Sequence, residues 1–105
     1  MPEFALVFHA APLTSPDRLA HRNAAARDWA LARQRDGSLV HAVPLETEIR
    51  LVDERQTSEP DATDLAAVLI VTARHLDAAT ALARSHPGLA YGTRIEVRPV
   101  KRGQR

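Results

Sequence analysis

The chain has 105 residues, of which 45% are apolar, with 14 basic against 13 acidic side chains and no cysteine. That length fits one domain built on one core, and the apolar share excludes wholesale disorder. A net charge of +1 gives no general attraction to nucleic acid or anionic membranes, and the lack of cysteine excludes disulfides, thiolate nucleophiles and thiolate metal ligands.

The first element expected is a strand over residues 3–9, Glu-Phe-Ala-Leu-Val-Phe-His. Its short apolar run reads as a central strand buried on both faces. The apolar start, Phe4 to Leu13, has no Lys or Arg ahead of it and is broken by His9 and Pro12. It resembles neither a signal peptide nor a membrane span, so the cytoplasm is the expected location.

Ser15-Pro16-Asp17 announces a helix through a capping hydroxyl, a preset φ and a carboxylate at the positive end of the dipole. The helix is expected to run to about Arg35 and to stop at Asp36-Gly37. Leu19, Asn23, Ala26 and Ala30 form its narrow inward stripe, flanked by Trp29 and Leu31. A second strand follows from Ser38 to Val43, with Leu39, His41 and Val43 on one face and Val40 and Ala42 on the other. Thr47 to Val52 alternates as a half-exposed third strand paired with the second. Asp53 to Asp64 has no apolar period and reads as a surface loop.

Leu65 to Ala73 is the most apolar stretch and is expected as another interior strand. Leu76 to His86 reads as a helix with Leu76, Ala79, Leu82, Ala83 and His86 toward the sheet, capped by His75 and stopped by Pro87-Gly88. A last strand, Thr93 to Val100, alternates Ile95, Val97 and Pro99 with Arg94, Glu96 and Arg98. A short basic tail ends the chain.

The order β-α-β-β-β-α-β contains two β-α-β units, whose right-handed crossovers place both helices on one face. The expected fold is α+β: a ferredoxin-like, mainly antiparallel sheet of five strands with helices on one face. The opposite, aliphatic face has no segment left to cover it, which points to a two-fold homodimer through that face.

Several stretches carry a family resemblance. His75-Leu76-Asp77-Ala78-Ala79 with Leu82-Ala83, then Pro87-Gly88-Leu89-Ala90-Tyr91-Gly92 and Ile95-Glu96-Val97-Arg98-Pro99-Val100, resemble the YCII-related (DGPF) domain family. The long helix with Trp29, Asp36-Gly37-Ser38-Leu39-Val40 and Pro44-Leu45 fall in the same order. The resemblance spans nearly the whole chain and implies a ferredoxin-like dimer, similar to dimeric α/β barrels that include cofactor-free monooxygenases, lactone isomerases and a dehydrochlorinase. Some members carry a helical His and an Asp near the helix end as an active-site pair. Asp36 matches the acidic position, whereas Ala26 stands at the helical His position, with His21 about a turn and a half earlier. Glu59-Pro60-Asp61-Ala62-Thr63-Asp64 replaces the Asp-Gly-Pro-Phe signature.

The five histidines are the side chains that titrate near neutrality. His9, at a strand end, is a candidate base or ligand-orienting donor, against a plain boundary residue. His21 lies one turn after Asp17, which suits an oriented base or an ordinary helix-surface pair. Asp36 is its candidate support. His41 is either a pocket wall or a hydrogen-bonded core residue. Tyr91 and Arg94 are candidate substrate-binding groups, Arg through its fork and Tyr through its ring; Trp29 is expected to pack on the sheet. No His-Glu-x-x-His, Gly-x-Ser-x-Gly or glycine-rich phosphate loop occurs, so no metal and no cofactor is expected. Two functions remain open on these residues: a cofactor-free lyase, isomerase or hydrolase acting on a small organic molecule in a pocket between sheet and helices, or a non-catalytic metabolite-binding or regulatory dimerisation module.

Overall fold

A computed structural model describes residues 1–59 and 64–101. In chain order the elements are β1 (Glu3–His9), α1 (Pro16–Arg35), β2 (Leu39–Pro44), β3 (Leu51–Val52), β4 (Thr57–Ser58), β5 (Leu65–Thr72), α2 (Leu76–Arg84), a 3₁₀ turn (Pro87–Tyr91) and β6 (Arg94–Pro99). β2, β5, β1 and β6 form one sheet in that spatial order, and every neighbouring pair is antiparallel. Two helices pack on this sheet, an α+β arrangement consistent with the ferredoxin-like class.

Local chemistry explains where the helices begin and end. Ser15 Oγ accepts the Arg18 N–H at 3.3 Å, and Pro16 opens α1. Gly37, at φ 82°, takes the left-handed turn that ends the helix. His75 Nδ1 accepts the Ala78 N–H at 3.1 Å and so caps α2.

Strand alternation then sorts the side chains. Phe4, Leu6 and Phe8 of β1 are buried, as are Leu69 and Val71 of β5 and Leu39 of β2. Trp29 of α1 and Ala79 and Ala83 of α2 close the same core. The opposite face carries Ala5 and Val7, paired with Ile70 and Val68, and these are only half-buried. β1 is therefore buried on one face within the chain, not on both as its apolar run suggests.

Further expectations are corrected. The main sheet has four strands, not five. Leu51–Val52 pairs with Thr57–Ser58 rather than with β2, because Asp53 Oδ1 accepts the N–H groups of Arg55 and Gln56 and folds the chain back on itself. The polar stretch after Asp53 thus holds a small hairpin of its own. In β2 a register shift between Leu39 and His41 inserts an extra residue. That bulge leaves Leu39 on the helix side and turns His41 and Val43, paired with Ile70 and Val68, to the other. Finally, Leu76 is exposed rather than packed inward. Residues 60–63 of the stretch replacing the family signature, and 102–105 of the basic tail, lie outside the described residues.

Leu6 is fully buried whereas Leu51, in the hairpin, is 53% exposed. Leu6→Ala is expected to cost about 2–5 kcal/mol through transfer loss and a residual cavity. Leu51→Ala should stay within about 0.5 kcal/mol. Urea unfolding of the two variants checks this; equal losses would contradict the assigned core.

Candidate functional site

Between α1 and the sheet lies a cavity of ≈ 630 Å³. α1 presents Arg22, Asn23, Ala26, Arg27, Trp29 and Ala30 to it. The sheet presents Phe8, Ala42, Pro44, Ala67 and Leu69, and the chain around the 3₁₀ turn adds His86, Gly88 and Thr93. The reason for the cavity is legible in these names. Alanines on the helix face alanines on the strands, so the two layers meet without enough side chain to fill the gap. Trp29 holds the layers at this spacing: its indole Nε1–H donates to Ser85 Oγ at 2.8 Å, just beyond α2.

His86 is the titratable group set deepest in this cavity wall. Its ring packs edge-on against Phe8 and Trp29, with centroids 4.7 and 4.8 Å away. Nδ1 accepts the Gly88 N–H at 2.9 Å, which leaves the proton of the neutral ring on Nε2. Burial lowers the His86 pKa from 6.5 to about 4, so the ring is neutral at physiological pH and can donate one hydrogen bond but is a weak base. A side chain at position 88 would press on it: a Cβ there would lie 2.9 Å from Nδ1 and 3.0 Å from Thr93 Oγ1. The wall is thus shaped by glycine.

A second, more open cleft of ≈ 720 Å³ shares Ala10, Arg22 and Ala66 with the first and reaches Asp64. Beside this cleft, next to Asp64, His9 is held from both sides. Its Nδ1 lies 2.9 Å from Asp64 Oδ1 and its Nε2 2.7 Å from Glu96 Oε1. Arg94, opposite His9 in the β1–β6 register, donates to Asp64 Oδ2 at 2.8 Å. The hydrogen bond that His9 gives to Asp64, then the one to Glu96, raises the His9 pKa, and the same His9 contact lowers that of Asp64. The result is a chain of alternating charge, Arg94–Asp64–His9–Glu96, in which a protonated His9 uses both ring nitrogens. The carboxylates sit on opposite sides of the ring. Among the described residues no cluster of three or more His, Asp or Glu could hold a metal ion.

The other candidates lie apart from these groups. His21 is exposed on α1 and forms no hydrogen bond with Asp17. Asp36 closes the end of α1: Ser38 donates to it through backbone and hydroxyl, and Arg33 Nε lies 2.9 Å away. Those Ser38 bonds, with Arg33 behind them, lower its pKa. His41 is exposed on β2. Tyr91 stacks under the Arg18 guanidinium, 5.2 Å from the ring centroid. Of the six candidates, only His9 and Arg94 are brought together, through Asp64.

The sequence alone does not single out Arg22, Arg27, Asp64, Glu96 or the cavity-lining position of His86. The period of α1 did carry a signal, since Asn23, Ala26 and Ala30 of its stripe line the cavity, and Arg27 follows Asn23 at one helical turn. Glu96 and Asp64 depended on strand register, which no local pattern reveals.

The buried His86 makes a definite claim about pH. The unfolded chain takes up this proton near pH 6.5 and the folded one only near 4. Stability therefore falls as pH drops through that window, by up to roughly 3 kcal/mol, and levels off below it. In His86→Asn, whose amide oxygen can still accept from Gly88, that dependence should largely vanish. Urea titrations of both proteins from pH 7 to 4 test it; parallel curves would contradict a neutral buried ring.

No family model and no curated protein matches the chain.

Proposed function

We propose that the protein is a cytoplasmic homodimer of the YCII-related type, with each protomer binding a small organic molecule in the cavity beneath α1. The observation that carries this reading is the cavity itself. Protein interiors are normally filled to crystal-like density. Here a half-open cavity of ≈ 630 Å³ remains between two layers, a volume within the range of ligand pockets. Its walls are mostly apolar, with a few polar groups at defined places, as ligand recognition requires.

Binding without catalysis accounts for the groups best. Proton transfer needs a base or acid with a pKa near the working pH. The cavity's titratable side chains are Arg22, Arg27 and His86, and His86, at about 4, stays neutral. The alternative, a cofactor-free lyase, isomerase or hydrolase, draws support from Asp64, which reaches the adjoining cleft beside His9. There the two carboxylates already occupy both nitrogens of the ring that would move the proton.

The homodimer rests on the uncovered sheet face. Ala5, Val7, Val68 and Ile70 form an aliphatic strip with no helix over it, and a second copy is the self-complementary cover such a strip favours. No helix among the described residues is long and apolar enough to cross a membrane.

A neutral fluorescent probe, N-phenyl-1-naphthylamine, tests the pocket. It should bind the intact protein saturably with enhanced emission. Ala26→Phe fills the cavity from a partly exposed helix position and should abolish that binding with unchanged far-ultraviolet circular dichroism. Undiminished probe binding to the folded variant would overturn this reading.

A further inference from the structure

The cavity is chemically lopsided. Its inner wall is built from Phe8, Trp29 and Leu69, while Arg22 and Arg27 stand on its α1 side. No Asp or Glu occurs among the described lining residues. Three guanidinium groups outside the cavity meet carboxylates: Arg33 with Asp36, Arg50 with Glu59, Arg94 with Asp64. Arg27 has no such partner among the described residues. Arg22 gives one N–H to the Ala11 carbonyl at 3.3 Å and forms no ion pair among the described residues, although the adjoining cleft that it also lines reaches Asp64. Two positive charges at the edge of an apolar chamber, with no internal counter-charge, form a site complementary to an amphipathic anion.

We infer that the cavity binds an organic carboxylate, with its apolar body against Trp29, Phe8 and Leu69 and its carboxylate between Arg22 and Arg27. This rests on the ligand-pocket reading above and names the ligand's chemistry. The guanidinium fork is matched to a planar carboxylate. A nucleotide is disfavoured, because the chain has no glycine-rich phosphate loop and the chamber is chiefly apolar. His86 refines the class further. With Nδ1 committed to Gly88, the ring offers only a neutral Nε2–H, which suits a second ligand oxygen, a carbonyl or hydroxyl, at the inner end.

The test pairs two ligands of nearly equal shape, 2-naphthoate and 2-naphthamide, titrated calorimetrically into the intact protein. Naphthoate should bind at least about tenfold more tightly than the amide, and both should perturb the emission of Trp29, the only tryptophan. Arg22→Gln combined with Arg27→Gln should erase the preference and leave the amide unaffected. Arg27→Gln alone, at an exposed position with no ion pair to lose, should move in the same direction should the double variant fail to fold. Equal affinities, or a preference that survives the substitutions, would overturn the carboxylate assignment while N-phenyl-1-naphthylamine binding keeps the pocket. Failure of both naphthalenes together with that neutral probe would remove the pocket and this inference alike.

Discussion

Strand β1 runs through the middle of the sheet, and its two faces meet different surroundings. Phe4, Leu6 and Phe8 lie under the helices and are buried, whereas Ala5 and Val7 look away from them and are only half-buried. Two helices cover one side of a four-stranded layer, and among the described residues no helix is left for the other. Everything else follows from that asymmetry. The helix side holds the core and, where the packing thins, a chamber. The other side holds an aliphatic strip edged by charge. That edge is self-compensated, since Arg94, Asp64, a protonated His9 and Glu96 alternate in sign. A neutral ladder can lie against another protein surface at less desolvation cost than isolated charges.

The chamber arises from residue size rather than from a special motif. Ala26 and Ala30 of α1 stand over Ala42 and Ala67 of the strands, and alanine reaches too short a distance to close the layer. Trp29, anchored to Ser85, fixes the helix at that height. Leaving such a volume unpacked sacrifices dispersion and burial that larger side chains would supply. Retaining a buried histidine in its wall adds a further cost at low pH. Both penalties are the kind proteins sustain at binding sites.

Much of the fold was readable locally. Ser15-Pro16 and Gly37 mark the ends of α1, His75 caps α2, apolar runs locate β1 and β5, and apolar alternation locates β6, each within a residue or two. What failed was long-range. The Thr47–Val52 alternation looks like a partner for β2, yet the Asp53 turn captures Leu51 and Val52 in a local hairpin. The bulge at Val40 reverses which side His41 faces, and no periodicity announces a bulge. The candidate site suffered from the same limit. His9 could be singled out, but its partners lie 55 and 87 residues away. His86 looked like packing because its apolar neighbours, Phe8 and Trp29, come from other elements.

The proposed homodimer requires a second copy to cover the strip formed by Ala5, Val7, Val68 and Ile70. Isotope-filtered NMR on an equilibrated mixture of labelled and unlabelled protein measures this directly. Intermolecular cross-peaks should appear at the methyl groups of Val7, Val68 and Ile70. Their absence, with tumbling that corresponds to one chain at millimolar concentration, would contradict the paired arrangement.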